Sequence, residues 1–261
     1  MYPHQQATLD AFAEKMKQDA DVIALLLVGS IAKGWMSEKS DVDVVIIKMD
    51  EAAKRDFAAH NLTYADFDIA TYEGGYVDTK IIDKQFLLDV LSHGSEVAKS
   101  AFIGAKIVFS HDPEIETIIT KIAEYPEHQR ADKIRTFASQ LYVWNWYISE
   151  AEKRDDRYLL IQAVSNLTLF GSRLLLTHNR LLYPFHKWLR RQLQEAESLP
   201  KNYFVLVDAL LDKPSIETAQ AYTDAILNFH DWGVGIPECF AIYIQDTEWN
   251  WRDGHAPIQD W

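Results

Sequence analysis

The first half of the chain combines short runs of apolar residues with longer segments in which apolar residues recur at helical spacing. Leu9, Phe12 and Met16 define one face of a helix predicted over residues 5–18. Apolar residues predict a buried strand over 22–28 and a second strand over 41–49, in which the run Val44-Val45-Ile46-Ile47 indicates burial on both faces. Further strands are predicted over 67–72, 76–82 and 106–109, the first two as a hairpin around Gly74-Gly75, with helices over 50–61 and 84–91.

The second half has helical periodicity and almost no strand pattern. Helices are predicted over 132–154, 158–178, 185–197, 203–211 and 216–232, with a proline in each of the last three connections. The change comes near Pro126. We therefore predict an α+β protein of two domains, a mixed β-sheet flanked by helices over residues 1–125 and an all-α helical bundle over residues 126–261.

The charge balance narrows the classes of partner. The chain of 261 residues has 39 acidic and 26 basic residues, which gives a formal net charge of −13. Because binding to a phosphate backbone needs clustered lysine and arginine, a nucleic-acid partner is not expected. The field of an acidic protein favours a cationic small molecule, although an acidic surface also serves solubility alone.

Cysteine content and the apolar runs bear on location. The single cysteine, Cys239, excludes an intrachain disulfide and is typical of a reducing compartment. The residues after Met1 lack the basic and apolar regions of a signal peptide. The longest apolar run, 22–29, is too short to cross a bilayer. We therefore expect a cytoplasmic protein without a membrane partner.

Two acidic residues at alternate positions are the most informative feature of the sequence. The order is Gly29-Ser30, ten residues, then Asp41-Val42-Asp43. Alternate side chains of a strand share a face, so the two carboxylates are expected to project together. Ionised carboxylates that are close together repel each other, and a divalent cation such as Mg²⁺ relieves that repulsion through oxygen ligands.

Gly29-Ser30 follows the first buried strand. A glycine lets the backbone approach a ligand closely, and backbone N–H groups at a helix start favour phosphate. The hydroxyl of Ser30 adds a donor. The segment therefore predicts phosphate donors opposite the metal-binding carboxylates, although a plain turn before a strand that begins with two solvated aspartates is the alternative.

The pattern of Gly29-Ser30 followed by Asp41-x-Asp43 resembles the signature of the polymerase-beta-type nucleotidyltransferase superfamily. That group includes antibiotic nucleotidyltransferases and minimal nucleotidyltransferase domains. The resemblance covers roughly residues 1–125 and implies a nucleotidyltransferase-type sheet. The helical second half resembles that of two-domain antibiotic nucleotidyltransferases only in kind.

The family carries a third carboxylate on a later strand of the same sheet, and Asp78 in the predicted strand 76–82 fits that place. The resemblance thus implies that Asp41, Asp43 and Asp78 are catalytic residues and metal ligands, with Asp78 acting as ligand, as general base or as both. Asp68 and Glu73 are rivals for the third position but lack the matching strand context.

Several residues are predicted to contact the nucleotide, and these are Gly29, Ser30, Lys80 and Lys187. Lys80 shares a strand face with Asp78, and Lys187 falls in the first turns of a predicted helix. Lys33 and Lys39 are further candidates for contact with phosphate from the loop. Glu150 or Glu152 of the helical half is a candidate for an extra base. Trp249 and Trp251 either line a substrate pocket or pack on the bundle.

The function that the resemblance implies is Mg²⁺-dependent transfer of a nucleoside monophosphate, AMP from ATP or the equivalent from another NTP, to a hydroxyl of a small-molecule acceptor. An aminoglycoside- or lincosamide-like acceptor is the one the family suggests, and a homodimer is compatible with the sequence. The alternatives are a protein adenylyltransferase of toxin–antitoxin type and an inert nucleotide-binding module. A kinase is disfavoured, because neither a glycine-rich triplet nor a Gly-Lys-Ser/Thr loop is present.

Overall fold

The computed structural model describes residues 1–252 and 254, and the chain divides into two compact units, Met1–Glu124 and Tyr125–Trp261. The boundary predicted from the sequence lies one residue from this division. The first unit contains the sheet and the second is helical, so the predicted fold class is confirmed.

The first unit is built on a five-stranded mixed sheet with the strand order β3-β4-β2-β1-β5. Strands β2 and β4 are parallel, and the other neighbours are antiparallel. The strands are β1 (Val22–Leu27), β2 (Val42–Lys48), β3 (Ala65–Asp66), β4 (Val77–Ile82) and β5 (Lys106–Ser110). The helices are α1 (Pro3–Lys17), α2 (Gly29–Ala32), α3 (Asp50–Ala58), α4 (Lys84–His93), α5 (Glu96–Ser100) and α6 (Glu114–Ile122).

The central strands are buried on both faces because both faces of the sheet carry helices. Leu25 and Leu27 of β1 pack in one apolar cluster with Phe12 of α1. Ala24 and Leu26 point to the opposite cluster, which contains residues of α4 and α6. This arrangement accounts for the continuous apolar runs of β1 and β2.

The predicted strand over 67–72, and its hairpin around Gly74-Gly75, are wrong. The segment that pairs with β4 comes earlier, because the fully buried Thr79 hydroxyl donates to the backbone oxygen of Tyr64 at 2.8 Å and accepts from its N–H at 2.9 Å. Residues 67–76 instead form a loop in which Gly74 has φ +74°.

The second unit consists of helices and short turns in the part that the structure describes. The helices are α7 (Arg130–Arg154), α8 (Arg157–His178), α9 (Leu189–Leu193), α10 (Tyr203–Asp212), α11 (Ile216–Leu227) and α12 (Ile236–Tyr243). By length and composition α8 is apolar enough to cross a membrane, but core helices meet the same criteria, and α8 packs along α7.

Three further differences from the sequence prediction concern helices. The helix predicted over 185–197 is interrupted, because Phe185 has φ +73° and a 3₁₀ turn over His186–Trp188 precedes the short α9. Helix α6 was not predicted, although its four buried isoleucines have helical spacing. Helix α12 was also missed.

Candidate active site

Strands β2 and β4 begin side by side, and this brings two of the predicted carboxylates together. Asp43 and Asp78 are direct partners in the parallel register of the two strands. Asp41 lies one residue before the start of β2. One carboxylate oxygen from each of Asp41, Asp43 and Asp78 lies within 4.8 Å of the other two. It is the one group of three such ligands found among residues 1–252 and 254.

Gly29 lies against this carboxylate group because of the way β1 ends. The Val28 N–H donates to the backbone oxygen of Asp43 at 3.0 Å, which joins the end of β1 to the start of β2. Gly29 has φ +66°, and a Cβ placed on it would lie 1.9 Å from Asp43 Oδ2. Only glycine allows the Asp43 carboxylate to occupy this position beside the backbone.

Tyr76 is a member of the site that the sequence analysis did not identify. Hydrogen bonding of its phenol to the Asp41 carboxylate, with the charges of Asp41, Asp78 and Asp43 and some burial, raises the pKa of Tyr76 to about 12. Tyr76, Asp78 and Lys80 alternate along the strand direction, which is the signal that would have placed the phenol on the face of the carboxylate.

The donor set fits a hard divalent cation. Three carboxylate oxygens lie close together, all three residues are half-buried, and Mg²⁺ prefers such oxygen ligands. The close approach of Asp43 to the Gly29 backbone leaves no room for a side chain on this edge of the group. Asp41, Asp43 and Asp78 are therefore the residues that would hold a metal ion.

The remaining predicted nucleotide contacts of the first unit have different surroundings. Ser30 is buried in α2, and its backbone oxygen accepts from the Trp35 N–H at 2.9 Å. Lys80 is exposed and lines a cavity of about 480 Å³ together with apolar side chains that include Phe57 and Phe86. The Lys33 ammonium lies 5.2 Å from the centre of the Trp35 ring.

Lys187 belongs to the second unit, so its predicted phosphate contact stays a prediction. It lies in the 3₁₀ turn before α9, and its ammonium is 5.4 Å from the centre of the Trp188 ring. The two glutamates considered as extra bases have structural partners. Glu150 pairs with Lys153 at 2.8 Å, and Glu152 accepts from the Ile216 N–H at 2.9 Å.

Comparison with known proteins establishes the family. The model of the nucleotidyltransferase domain family matches residues 9–170, which is more than half of the chain. The chain belongs to this family and is a nucleotidyltransferase. Domains of the family generally use an NTP and a divalent metal ion. The match runs beyond the first compact unit into α8.

Among solved structures, the chain is similar to a nucleotidyltransferase-like protein from Exiguobacterium sibiricum, with 11% sequence identity and a TM-score of 0.48. The similarity covers 94% of this chain and 79% of that one. No curated protein matches.

Proposed function

We propose that the protein transfers AMP from ATP to a hydroxyl group of a small-molecule acceptor, with Mg²⁺ as cofactor. The observation that carries this proposal is the group of Asp41, Asp43 and Asp78 beside Gly29, in a chain of the nucleotidyltransferase family. Bound Mg²⁺ would neutralise the triphosphate and the charge that develops on the departing pyrophosphate.

The three carboxylates have distinct roles in the proposed reaction. Asp41 and Asp43 hold the metal, and Asp78 completes the group and accepts the proton of the acceptor hydroxyl. A bond forms between the acceptor oxygen and the α-phosphorus, and the bond from that phosphorus to the oxygen of the β-phosphate breaks. Pyrophosphate leaves with that oxygen, so the products are an adenylylated acceptor and pyrophosphate.

The triphosphate is bound by the groups around the carboxylates. The backbone of Gly29 and the hydroxyl of Ser30 orient it, and Lys80, on the same strand as Asp78, contributes positive charge. Positioning of this kind, together with stabilisation of charge, supplies most of the rate enhancement in phosphoryl chemistry.

The acceptor is a small molecule rather than a nucleic acid, because a net charge of −13 repels a phosphate backbone. An aminoglycoside- or lincosamide-like compound carries both the hydroxyl groups that the reaction needs and a cationic amine that the acidic chain attracts. The buried free thiol of Cys239 is compatible with a cytoplasmic location.

Labelled ATP tests the proposal. The protein is incubated with Mg²⁺ and ATP labelled at the α- or the γ-phosphate, with a panel of aminoglycosides, lincosamides and simple polyols, and separately with a cell lysate. We expect the α-label to move to a small molecule with release of pyrophosphate, and the variant Asp43→Asn to transfer at least about 100-fold less. Transfer of the γ-label would indicate a kinase. Label on a lysate protein would indicate protein adenylylation, and ATP binding without transfer would indicate an inert module.

A further inference from the structure

The loop that leads to Asp41 is held from outside by three side chains. This loop, Ser37–Ser40, connects α2 to β2 and is largely exposed. His4, Gln5 and Tyr72 each hydrogen-bond to its backbone oxygens, and we call these three residues the loop clamp. His4 and Gln5 lie in α1, and Tyr72 lies in the loop before β4, so the clamp joins three segments that are distant in sequence.

Gln5 is the centre of the loop clamp. It is fully buried, and its Nε2 donates to the backbone oxygens of Ser37 at 2.8 Å and Ser40 at 3.1 Å. Its Oε1 accepts from the Tyr2 N–H at 3.1 Å. The side-chain amide therefore uses both of its N–H groups on the loop and its oxygen on the start of α1. A buried amide with this full set of partners fixes one loop conformation.

The other two members hold neighbouring carbonyl groups. The His4 Nε2 donates to the oxygen of Glu38 at 2.8 Å, and the Tyr72 hydroxyl donates to the oxygen of Ser40 at 2.7 Å. The two rings also contact each other, with centroids 4.5 Å apart. Tyr72 reaches this position because Gly75 has no side chain, since a Cβ there would lie 2.5 Å from the Tyr72 ring.

Asp41 is fixed on both sides as a consequence. The residue before it, Ser40, has its carbonyl held by both Gln5 and Tyr72. The residue after it, Val42, donates its N–H to the oxygen of Tyr76 at 3.0 Å. Asp41 precedes β2, so the strand ladder alone does not fix it.

We propose that the loop clamp positions Asp41 for metal binding, with Gln5 and Tyr72 as positioning residues for nucleotidyl transfer. This inference rests on the proposed function, because it assigns to the clamp the placement of one of the three metal ligands. Mutation of residues that orient metal ligands without binding the metal themselves typically lowers metal affinity about 10–100-fold. Loss of the clamp is expected to weaken the metal site by this factor and to leave the sheet folded.

The experiment measures binding of Mn²⁺ to the whole chain from the electron paramagnetic resonance signal of the free ion, in the presence of α,β-methylene-ATP. The test variants are Gln5→Leu, which removes all three hydrogen bonds of the amide, and Tyr72→Phe, which removes one hydroxyl and keeps the ring. Gln5→Glu keeps an oxygen that accepts from the Tyr2 N–H but places its second oxygen against the two carbonyl oxygens of the loop. It therefore preserves the contact with the start of α1 and removes the contacts with the loop.

Thr8→Val is the matched control. Thr8 is fully buried in the same helix, one turn after Gln5, but its hydroxyl donates to the backbone oxygen of His4 within that helix at 2.9 Å. Asp43→Asn is the control for the metal site itself. Urea unfolding without metal is recorded for every variant, and Tyr72→Phe serves as the test if Gln5→Leu does not fold.

We expect the Mn²⁺ dissociation constant to rise about 10–100-fold in Gln5→Leu and Gln5→Glu, less in Tyr72→Phe, and not in Thr8→Val. If the wild type binds Mn²⁺, Asp43→Asn does not, and the clamp variants behave as Thr8→Val, the inference is wrong and the proposed function stands. If the wild type itself binds no Mn²⁺, the metal site of the proposed function fails and the inference fails with it.

Discussion

Strand β2 begins beside two further carboxylates and ends in an ion pair. At its start Asp43 lies with Asp41 and Asp78 in a group of like charges. About 17 Å further along the strand, Lys48 Nζ lies 2.7 Å from Asp56 Oδ2, and both side chains are largely buried. The neighbouring strand repeats the contrast, because Asp78 lies at its start and Lys84, just after its end, pairs with Asp112 at 2.6 Å.

The difference shows which end of the sheet is arranged for stability. Removing one partner of a buried ion pair destabilises the folded state, whereas carboxylates gathered within 4.8 Å repel each other when they are ionised. Both arrangements occur on β2 and β4, but at opposite ends of the strands, so stability and cation binding are served by different residues. The end with ion pairs supports the fold, and the acidic end is suited to a cation that comes from outside.

The largest expected effect follows from removing one charge at the acidic end. Asp43→Asn should lower nucleotidyl transfer by about 10²–10³-fold or more, which is the usual range for a group that stabilises transition-state charge. The melting temperature without metal should stay the same or rise, because one repulsive charge is gone. Labelled-ATP transfer and thermal unfolding with and without Mg²⁺ measure both effects.

The control for this prediction is the stabilisation that Mg²⁺ gives. Wild type should gain about 3 kcal/mol of unfolding free energy at a hundred times the dissociation constant, and Asp43→Asn should gain much less. Retained turnover in both Asp41→Asn and Asp43→Asn would contradict the assignment of the acidic end to metal binding.

A smaller effect is expected from a change beside the carboxylates that leaves their charge intact. Gly29→Ala should destabilise the protein and lower transfer about 100-fold, because its Cβ would displace the Asp43 carboxylate by an ångström or more. The left-handed backbone alone costs about 1–2 kcal/mol for a residue with a Cβ. Urea unfolding and the transfer assay separate the two contributions.

Gly34→Ala is the matched control for Gly29→Ala. Gly34 also has a positive φ, +74°, but a Cβ there meets no atom within 4 Å. It should therefore show the backbone cost without the loss of transfer. Equal activity losses in the two variants would mean that contact with Asp43 is not what requires glycine at position 29.

Local pattern was enough to predict some of this site. The period of a strand brought Asp41 and Asp43 to one side, and the apolar runs of β1 and β2 identified the central strands. The pairing of Asp43 with Asp78 depends on the parallel register of β2 and β4, between which α3, β3 and their loops lie in the chain. Register between distant segments is set by packing, so the family resemblance rather than periodicity indicated Asp78.

The incorrect strand over 67–72, and the contacts that the sequence analysis missed, also depend on packing between distant segments. Alternation within 67–72 looked like a strand, but a side chain on another segment, Thr79, selects Tyr64 and its neighbours as the partner of β4. The hydrogen bond from Tyr76 to Asp41 and the loop clamp depend on side-chain directions between segments that are far apart in sequence. By contrast, the isoleucines of α6 carried a readable helical pattern that the sequence analysis overlooked.

The smallest effect is expected at the opposite end of β2. Lys48→Met should lower the free energy of unfolding by about 1–2 kcal/mol, between the values for exposed and buried ion pairs, and leave Mn²⁺ binding and transfer unchanged. The hydrogen bond from Lys48 lowers the pKa of Asp56, so the stabilisation is present above the ordinary aspartate pKa near 4 and is lost as pH falls through the lowered value. In urea titrations the difference between wild type and Lys48→Met should therefore shrink below about pH 4. A loss of metal binding in this variant would show that the two ends of β2 are not independent.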